Sequence, residues 1–254
     1  MSKEFFANRK ARQLLEYNNL GTFEQLWALQ TPWFEEPNQR RNGWSGVVKF
    51  SLTNKKGEAS AVFIKRQENH NCKTPLHPFK GIPTFRREFL NINRLNKNHI
   101  PTLSTVYYGE RIANEKHQSI LITQSLENYQ SLEDFCTNND NKSLPQRKKI
   151  MTLAGEISRK MHDAHFRHNC FYPKHLFLKY DQYVIDIRII DLEKLKWLPF
   201  YQNIREHDLS QLIRHSKHMT QNDLEILLSS YLTSSYTNLE HSSLAKKLWS
   251  LIKQ

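Results

Sequence analysis

A lysine directly follows an apolar run, and this placement limits the fold more than any other local feature. Residues Ala61–Ile64 are four apolar residues in a row, no apolar run in the chain is longer, and Lys65 comes next. Such short runs exclude a transmembrane helix, which needs about 20 apolar residues. The run suits a buried strand, and an ammonium at the inner end of a buried strand needs a partner because an unpaired buried charge is very costly.

Glu88 is the predicted partner of this lysine. Thr84 can cap a helix that runs to about Leu95. At about 100° per residue, Glu88 falls between Ile92 and Leu95, inside the apolar stripe of that helix. A carboxylate in this stripe is unusual, and we expect an ion pair with Lys65. The alternatives are that both side chains extend to solvent or that they form an inert structural pair.

The order of hydrophobic patterns predicts an α+β chain with two lobes, a small sheet-rich one and a mainly helical one. Residues 43–52 and 60–65 flank the turn signal Asn54–Gly57 and form a predicted hairpin. The other predicted elements are helices over 4–18 and 22–29, a loop over 70–83, strands at 106–109 and 119–123, a helix from Pro145, strands at 176–178 and 184–191, and helices after 204. We predict a single domain over 1–254, with a helical extension over 1–30, a sheet-rich lobe over 31–126 and a helical lobe over 127–254.

The chain is strongly basic, with 37 Lys and Arg against 25 Asp and Glu and a formal charge of +12. This excess indicates either a solvated surface or an anionic partner such as a nucleotide, a nucleic acid, a phosphorylated glycolipid or a membrane. Basic residues are dispersed and no nucleic-acid motif is present, so nucleic acid is not expected. Three cysteines without a C-x-x-C pair and an N-terminus without an apolar signal core favour a cytoplasmic protein.

Two further features have residue types that bind phosphate or metal. Gly43 and Gly46 follow Arg40-Arg41-Asn42, and glycine lets a backbone approach phosphate oxygens closely, although two glycines also mark an ordinary turn. Asp191 ends a strand, a position suited to a hard cation such as Mg²⁺ or to a helix cap.

A histidine-rich segment over 161–175 contains residue types that bind a different metal, zinc. His162, His165, His168 and Cys170 are zinc-ligand types, but their spacings match no common zinc motif. The same applies to His70, Cys72 and His77. Zinc therefore stays an alternative for this segment.

Taken in chain order, these residues resemble the parts of a protein-kinase-like fold: phosphate loop, strand lysine, helix glutamate, catalytic loop and metal-binding Asp. The sequence is most similar to the lipopolysaccharide core kinases, the Kdo/WaaP and heptose kinase family, and to its InaA-like branch. The segments that carry the similarity are RRNGWSGV (40–47), FIKRQENH (63–70), HPFKGIPTFRREFLN (77–91), RHNCFYPKHLFL (167–178) and IDLEK (190–194). They frame about residues 22–200.

The resemblance implies ATP-dependent phosphoryl transfer to a sugar hydroxyl of the lipopolysaccharide inner core. Lys65, held by Glu88, would contact the α- and β-phosphates, and residues 43–46 would cover them. Asp191 would hold Mg²⁺, with His175 at the second metal position, and backbone groups of a hinge from Ile122 to Leu126 would meet adenine. Basic residues near this cleft are tied to the same function: Arg40, Arg41, Lys65, Arg66, Arg86 and Arg87.

The implied partners are ATP, Mg²⁺ and the lipopolysaccharide core or another anionic glycolipid, at the cytoplasmic face of the inner membrane. The C-terminal segment 244–253 is basic and amphipathic. It either contacts that membrane peripherally or packs its leucines on the helical lobe.

One position departs from the family pattern. Where the heptose kinases carry His-Arg-Asp, this chain has His168-Asn169-Cys170, so Cys170 replaces the usual catalytic Asp. A thiol cannot simply replace that carboxylate as the orienting base. The DFG glycine is absent as well, because Leu192 and Glu193 follow Asp191. Two interpretations remain open: an active kinase, or a kinase-like pseudoenzyme or nucleotide-binding regulatory protein with little transfer.

Overall fold

A computed structural model describes residues 3–40, 43–74, 76–138, 144–181, 184–199, 204–233 and 243–252. Contacts divide the chain into two compact units, Met1–Asn93 with Leu103–Glu127, and Arg94–Thr102 with Asn128–Gln254. The first unit is rich in strands and the second is mainly helical, which confirms the predicted α+β class. The lobe boundaries at 31–126 and 127–254 stay a prediction; the contact division also assigns Arg94–Thr102 to the helical unit.

The first unit is built on an antiparallel sheet. Its elements are β1 (Lys3–Phe6), α1 (Arg9–Tyr17), α2 (Phe23–Ala28), β2 (Glu35–Arg40), β3 (Gly43–Thr53), β4 (Ala59–Glu68), β5 (Asn71–Thr74), β6 (His77–Pro83), α3 (Thr84–Lys97), β7 (Thr105–Ala113) and β8 (Lys116–Gln124). Six strands pair in the order β1-β7-β8-β4-β3-β2, while β5 and β6 form a separate hairpin.

The two faces of this sheet contact different helices, and successive residues of a strand point to opposite faces. One face packs on α1 and α2 in a buried cluster that includes Phe23, Leu26, Val48, Ile64 and Ile122. Lys65 points to the opposite face, where α3 lies and where Phe89 stacks on Tyr108 with ring centroids 4.6 Å apart. The alternation therefore places the lysine on the α3 side of β4.

Two predictions for the first unit are wrong. Residues 3–6 pair with β7 as a strand instead of beginning a helix, and α1 starts only after Asn8, whose side chain accepts a hydrogen bond from the Ala11 N–H. Phe5 and Phe6 explain the difference: they contact Phe89 and Tyr107 respectively, so tertiary packing outweighs the helix-like spacing. The expected loop over 70–83 contains the β5–β6 hairpin.

Among the described residues, the second unit contains five α-helices and two 3₁₀ helices. Its elements are β9 (Gln130–Ser131), α4 (Leu132–Thr137), α5 (Leu144–Asp163), β10 (Phe166–Arg167), a 3₁₀ helix (Pro173–His175), β11 (Leu176–Tyr180), β12 (Ile185–Ile189), a 3₁₀ helix (Leu192–Lys194), β13 (Lys196–Trp197), α6 (Ile204–Arg214), α7 (Gln221–Thr233) and α8 (Ser243–Ile252). Strands pair in the order β12-β11-β9, and β10 pairs with β13.

Helices α5 and α7 approach each other closely at Gly155. A Cβ at this position would lie 2.3 Å from the Leu227 carbonyl oxygen, so only glycine fits here. At one end of the contact between α5 and α7, Arg147 donates two hydrogen bonds to the buried Asp223, at 2.7 and 2.6 Å. This pair ties the start of α5 to the first turn of α7.

The C-terminal helix α8 packs through its apolar side. Ala245 and Leu248 are buried in the second unit, which supports the packing alternative for this segment, whereas Lys253 lies outside the described residues. Across the part of the chain that the structure describes, no helix is both long enough and apolar enough to span a bilayer.

Candidate functional site

Lys65 and Glu88 form the predicted ion pair within the first unit. The Lys65 Nζ lies 2.6 Å from Glu88 Oε1, and Glu88 is only 3% exposed. The lysine side chain keeps 20% of its surface exposed, and its ammonium lies 6.0 Å from the Phe85 ring centroid. A buried carboxylate thus orients the ammonium of a lysine whose side chain is partly exposed.

Gln67 fixes the start of α3 against β4, and sequence reasoning missed it. Its Oε1 accepts hydrogen bonds from the Thr84 hydroxyl at 2.8 Å and from the Phe85 N–H at 2.9 Å. Its Nε2 donates to the His70 carbonyl at 2.7 Å. Gln67 is fully buried and lies two residues after Lys65, on the same face of β4. It therefore sets the position of the helix that carries Glu88.

Arg66 is not part of this group, and its predicted tie to the cleft is wrong. It points to the opposite face of β4, where Nη1 donates to the Trp27 and Leu29 carbonyls, each at 2.9 Å, at the end of α2. The guanidinium also lies 4.7 Å from the Trp33 ring centroid, and burial lowers its pKa. Arg66 caps α2, while Arg41 lies outside the described residues.

Gly43 and Gly46 lie in β3, and protein atoms fill the space beside both. A Cβ on Gly43 would lie 2.1 Å from the Glu68 carbonyl oxygen, and one on Gly46 would lie 2.7 Å from the Trp33 ring. Close packing within the first unit thus requires both glycines. Their contact with phosphate stays a prediction, and Arg41 and Asn42, which precede Gly43, lie outside the described residues.

The predicted hinge begins inside the sheet. Ile122 is fully buried in β8, where it is paired with Ile64 on one side and Tyr107 on the other, so its peptide groups point at neighbouring strands. Leu126 follows the end of β8 in a half-buried loop segment, and the preceding Ser125 N–H donates to the Ala61 carbonyl at 2.9 Å. The predicted backbone contact with adenine therefore does not fit Ile122, and for Leu126 it stays a prediction.

A buried aspartate of α6 holds the loop that the sequence predicts to correspond to the catalytic loop. Asp208 accepts hydrogen bonds from the backbone N–H groups of His168 at 2.5 Å and Asn169 at 3.0 Å, and it lies 3.3 Å from His162 Nε2. Burial opposes its ionisation, but the hydrogen bonds from His162 and His168 outweigh this effect and lower the pKa of Asp208. Sequence reasoning missed this residue as well.

His168 links the same loop to the segment before Asp191. Burial lowers the pKa of this histidine, so its ring is neutral. Its Nε2–H donates to the Ile190 carbonyl at 2.8 Å, and its Nδ1 accepts from the Cys170 N–H at 3.3 Å. The ring is a structural connector with both nitrogens engaged.

Cys170 is buried and lies beside a cation. Its Sγ is 3.4 Å from Lys194 Nζ, on the 3₁₀ helix after Asp191. The Cys170 carbonyl accepts a hydrogen bond from His175 Nδ1 at 2.7 Å. The loop therefore uses the backbone of residue 170 for its own hydrogen bonds and leaves the side chain next to Lys194.

His175 and Asp191, the two predicted metal residues, lie together in the second unit. His175 Nε2 is 3.4 Å from Asp191 Oδ2. Burial lowers the pKa of His175, and its Nδ1–H already donates to the Cys170 carbonyl, so Nε2 presents a lone pair toward the carboxylate. Two electron-pair donors at this separation suit a shared cation.

Asp191 also has an unusual backbone. Its φ of 59° lies in the left-handed region, which costs a non-glycine residue about 1 kcal/mol. Its side chain makes no capping hydrogen bond to the 3₁₀ helix that follows, and it is 45% exposed. The helix-cap alternative is therefore wrong, and the strained backbone turns the carboxylate toward His175.

The zinc alternative finds no support in the positions of these histidines. His162 Nδ1 lies 2.8 Å from the Tyr231 hydroxyl and its Nε2 faces Asp208, so the ring is part of the α5–α6–α7 packing. Within the described ranges, no three His, Cys, Asp or Glu side chains are grouped as metal ligands.

A sheet-rich unit with a Lys–Glu pair, together with a helical unit in which a His–Asp pair flanks two short strands, is typical of the protein-kinase-like class of folds. A solved structure of WaaP in complex with acyl carrier protein has the same fold. Its TM-score is 0.65 at 21% sequence identity, and the match covers 99% of this chain and 96% of that chain.

The chain belongs to the lipopolysaccharide kinase (Kdo/WaaP) family, whose sequence model matches residues 24–231. It is also similar to Protein InaA of Escherichia coli (strain K12), with 27% identity over 212 residues, which are 82% of this chain and 94% of that relative. These findings confirm the family resemblance and its InaA-like branch. The chain is thus a kinase-like protein related to lipopolysaccharide core kinases.

Proposed function

We propose that this protein is an ATP-dependent phosphotransferase that acts on a sugar hydroxyl of the lipopolysaccharide inner core, at the cytoplasmic face of the inner membrane. The observation that carries the proposal is the Lys65–Glu88 pair, with 2.6 Å between a buried carboxylate and a partly exposed ammonium. Phosphoryl transfer depends mainly on positioning and charge neutralisation, and Lys65 supplies an ammonium that Glu88 holds in place.

Lys65 binds the phosphates of ATP in this proposal. Glu88 holds the ammonium in one direction, and Gln67 holds the helix that carries Glu88. The lysine side chain is partly exposed, and its ammonium is the group that contacts phosphate oxygens in this proposal. The lysine thus neutralises phosphate charge without having to be ordered when nucleotide arrives.

Asp191 and His175 are the residues that hold Mg²⁺. The fit rests on the Asp191 carboxylate and the unprotonated His175 Nε2, which face each other. Carboxylate oxygen suits Mg²⁺, which keeps several waters and few protein ligands. When bound, the ion supplies positive charge that neutralises phosphate oxygens. Asp191, with its left-handed backbone, provides the charged ligand.

The acceptor is a sugar hydroxyl of the lipopolysaccharide core or of another anionic glycolipid. Family membership supports this substrate class. The second candidate function, a nucleotide-binding pseudoenzyme or regulatory protein, is favoured by the thiol at position 170, because a buried thiol beside Lys194 is a poor substitute for an orienting carboxylate.

Nucleotide binding is the first test. Calorimetric titration of ATP with and without Mg²⁺ should show binding that Lys65→Ala abolishes, while Lys55→Ala, an exposed lysine in the β3–β4 turn, leaves the affinity unchanged. Asp191→Asn should remove the Mg²⁺ dependence of binding. If Lys65→Ala binds ATP as tightly as the unchanged protein, the phosphate role of Lys65 is wrong.

Phosphate transfer to purified lipopolysaccharide core distinguishes the two functions. Transfer that Lys65→Ala and Asp191→Asn both abolish supports the kinase. ATP binding without transfer, in a protein whose Cys170→Asp variant gains transfer, supports the pseudoenzyme and identifies the thiol as the cause. Transfer that Cys170→Ser leaves intact shows that the thiol is not the base.

A further inference from the structure

The β5–β6 hairpin exposes two bulky apolar side chains at its outer end. Leu76 is 87% exposed and Phe79 is 88% exposed, and among the described residues no other large hydrophobic side chain is as exposed. Neither residue is used by the Lys65–Glu88 group, by the His175–Asp191 group or by the core of the first unit. Burying such side chains away from water is favourable, so an exposed pair of this kind suggests a partner.

The hairpin backbone holds Phe79 outward. Cys72 pairs with Ile82 and Thr74 pairs with His77, so Lys73 alone lies opposite residues 78–81, and β6 bulges away from β5. Gly81 makes the bulge possible: its φ is +67°, and a Cβ there would lie 2.6 Å from the Cys72 carbonyl oxygen. Phe79 therefore lies in the bulged part of β6, where no residue of β5 is paired with it.

The charge around this pair has a single sign. Residues 71–83 contain Lys73 and Lys80 and no Asp or Glu, and both lysines are exposed. Apolar side chains next to lysines are typical of segments that enter the headgroup region of a bilayer, where the apolar groups leave water and the lysines meet lipid phosphates. The chemistry of the tip therefore matches an anionic phospholipid surface.

We propose that the β5–β6 hairpin docks this protein on anionic membranes by inserting Leu76 and Phe79 between headgroups, with Lys73 and Lys80 on the phosphates. Two exposed apolar side chains are few for a stable protein–protein interface, in which each partner buries roughly 800 Å². A lipid surface needs no such area and no shape complementarity. The packed helix α8 does not offer a comparable apolar surface, since Ala245 and Leu248 are buried.

Vesicle sedimentation with the full chain, without nucleotide or lipopolysaccharide, tests this docking independently of phosphoryl transfer. Binding should be strong to vesicles of phosphatidylglycerol and phosphatidylethanolamine, weak to phosphatidylcholine, and reduced by salt. The double variant Leu76→Ser/Phe79→Ser should lower the partition coefficient by at least about tenfold. Both side chains are exposed, so the thermal unfolding midpoint should not change. Ile112→Ser is the matched control, because Ile112 is 70% exposed on the β7–β8 hairpin.

A charge variant separates local docking from the general positive charge of the chain. Lys73→Gln/Lys80→Gln should reduce binding to anionic vesicles about 20-fold or more, since each lysine near the surface contributes about fivefold. Lys55→Gln/Lys56→Gln, with the same change in net charge at the β3–β4 turn, should have little effect. Equal binding by Leu76→Ser/Phe79→Ser and the unchanged protein would overturn the proposal. The absence of any vesicle binding would overturn it too, and would point to an acidic protein or a second copy as the partner.

Discussion

Replacing Gln67 by alanine should weaken both the stability of the first unit and its affinity for nucleotide. The change removes three hydrogen bonds between buried groups, to the Thr84 hydroxyl, the Phe85 N–H and the His70 carbonyl, at 2.8, 2.9 and 2.7 Å. Each is worth about 1 kcal/mol net, and each partner is left without its bond to Gln67, so the free energy of unfolding should fall by about 3 kcal/mol.

Gln67→Ala should also weaken the Lys65–Glu88 ion pair. Phe85 is in the first turn of α3 and Glu88 is one turn further on, so freeing the start of the helix loosens the carboxylate that holds Lys65. We expect the Kd for ATP with Mg²⁺ to rise at least about fivefold, which corresponds to about 1 kcal/mol.

Gln118→Ala is the matched control for this variant. Gln118 is a similarly buried glutamine on β8, but it accepts a hydrogen bond from Arg111 and donates one to Glu68, and it makes no contact of this kind with α3. Gln118→Ala removes two hydrogen bonds, so it should lose about 2 kcal/mol of stability and keep its affinity for ATP. Urea unfolding and calorimetric titration measure the two quantities. Loss of stability in Gln67→Ala with an unchanged Kd would refute the link from Gln67 to Lys65, and unchanged stability would refute the capping role itself.

Three predictions concern the second unit. Arg147→Leu should lower the free energy of unfolding, measured in urea, by about 3–5 kcal/mol, because it leaves Asp223 charged and buried. The double variant Arg147→Leu/Asp223→Leu should recover much of that loss. A loss below about 1 kcal/mol in Arg147→Leu would contradict the pairing. Despite burial, hydrogen bonds hold the pKa values of Asp208 and Asp223 below the ordinary value for aspartate. The stabilisation from these two carboxylates is therefore complete above about pH 4 and is lost as the pH falls through their folded-state pKa values. The free energy of unfolding, measured from pH 6 to pH 2, should show this decline, and Asp208→Asn should make it less steep. Burial raises the pKa of the Cys136 thiol to about 12, so Ellman's reagent at pH 8 should modify it only after unfolding, and rapid modification of the folded protein would disagree.

Periodic patterns were enough to predict the residues that face one another across a strand and a helix. The apolar run before Lys65 and the carboxylate inside the stripe of α3 led to the ion pair, because a buried charge has few ways to be satisfied. The β3–β4 hairpin and the start of α3 at Thr84 followed from turn and cap signals in the same way. These are local rules, and they hold where local and tertiary preferences agree.

The missed features depend on contacts between distant parts of the chain. Gln67 looks like an ordinary polar residue of a strand, and only the fold brings it to the start of α3. The sequence predicts a loop over the β5–β6 hairpin, because a segment rich in proline and histidine gives no strand pattern and the pairing is short and bulged. Asp208 differs, since it lies between Ile204 and Leu212 on the buried side of α6, and the argument that identified Glu88 would have found it too.

The hydrogen bonds that shape the loop around Cys170 do not use the Cys170 side chain. Asp208 holds the backbone N–H groups before residue 170, His168 accepts its N–H, and His175 donates to its carbonyl, so every one of these bonds uses the main chain. The loop can therefore keep its shape with any side chain of suitable size at position 170, and a thiol there does not argue against an intact Asp191. Under the proposed kinase function, the side chain at position 170 is the part that would orient an acceptor hydroxyl. Because Lys194 Nζ lies 3.4 Å from the sulfur, a carboxylate introduced at this position would find a cation within reach instead of an unpaired buried site.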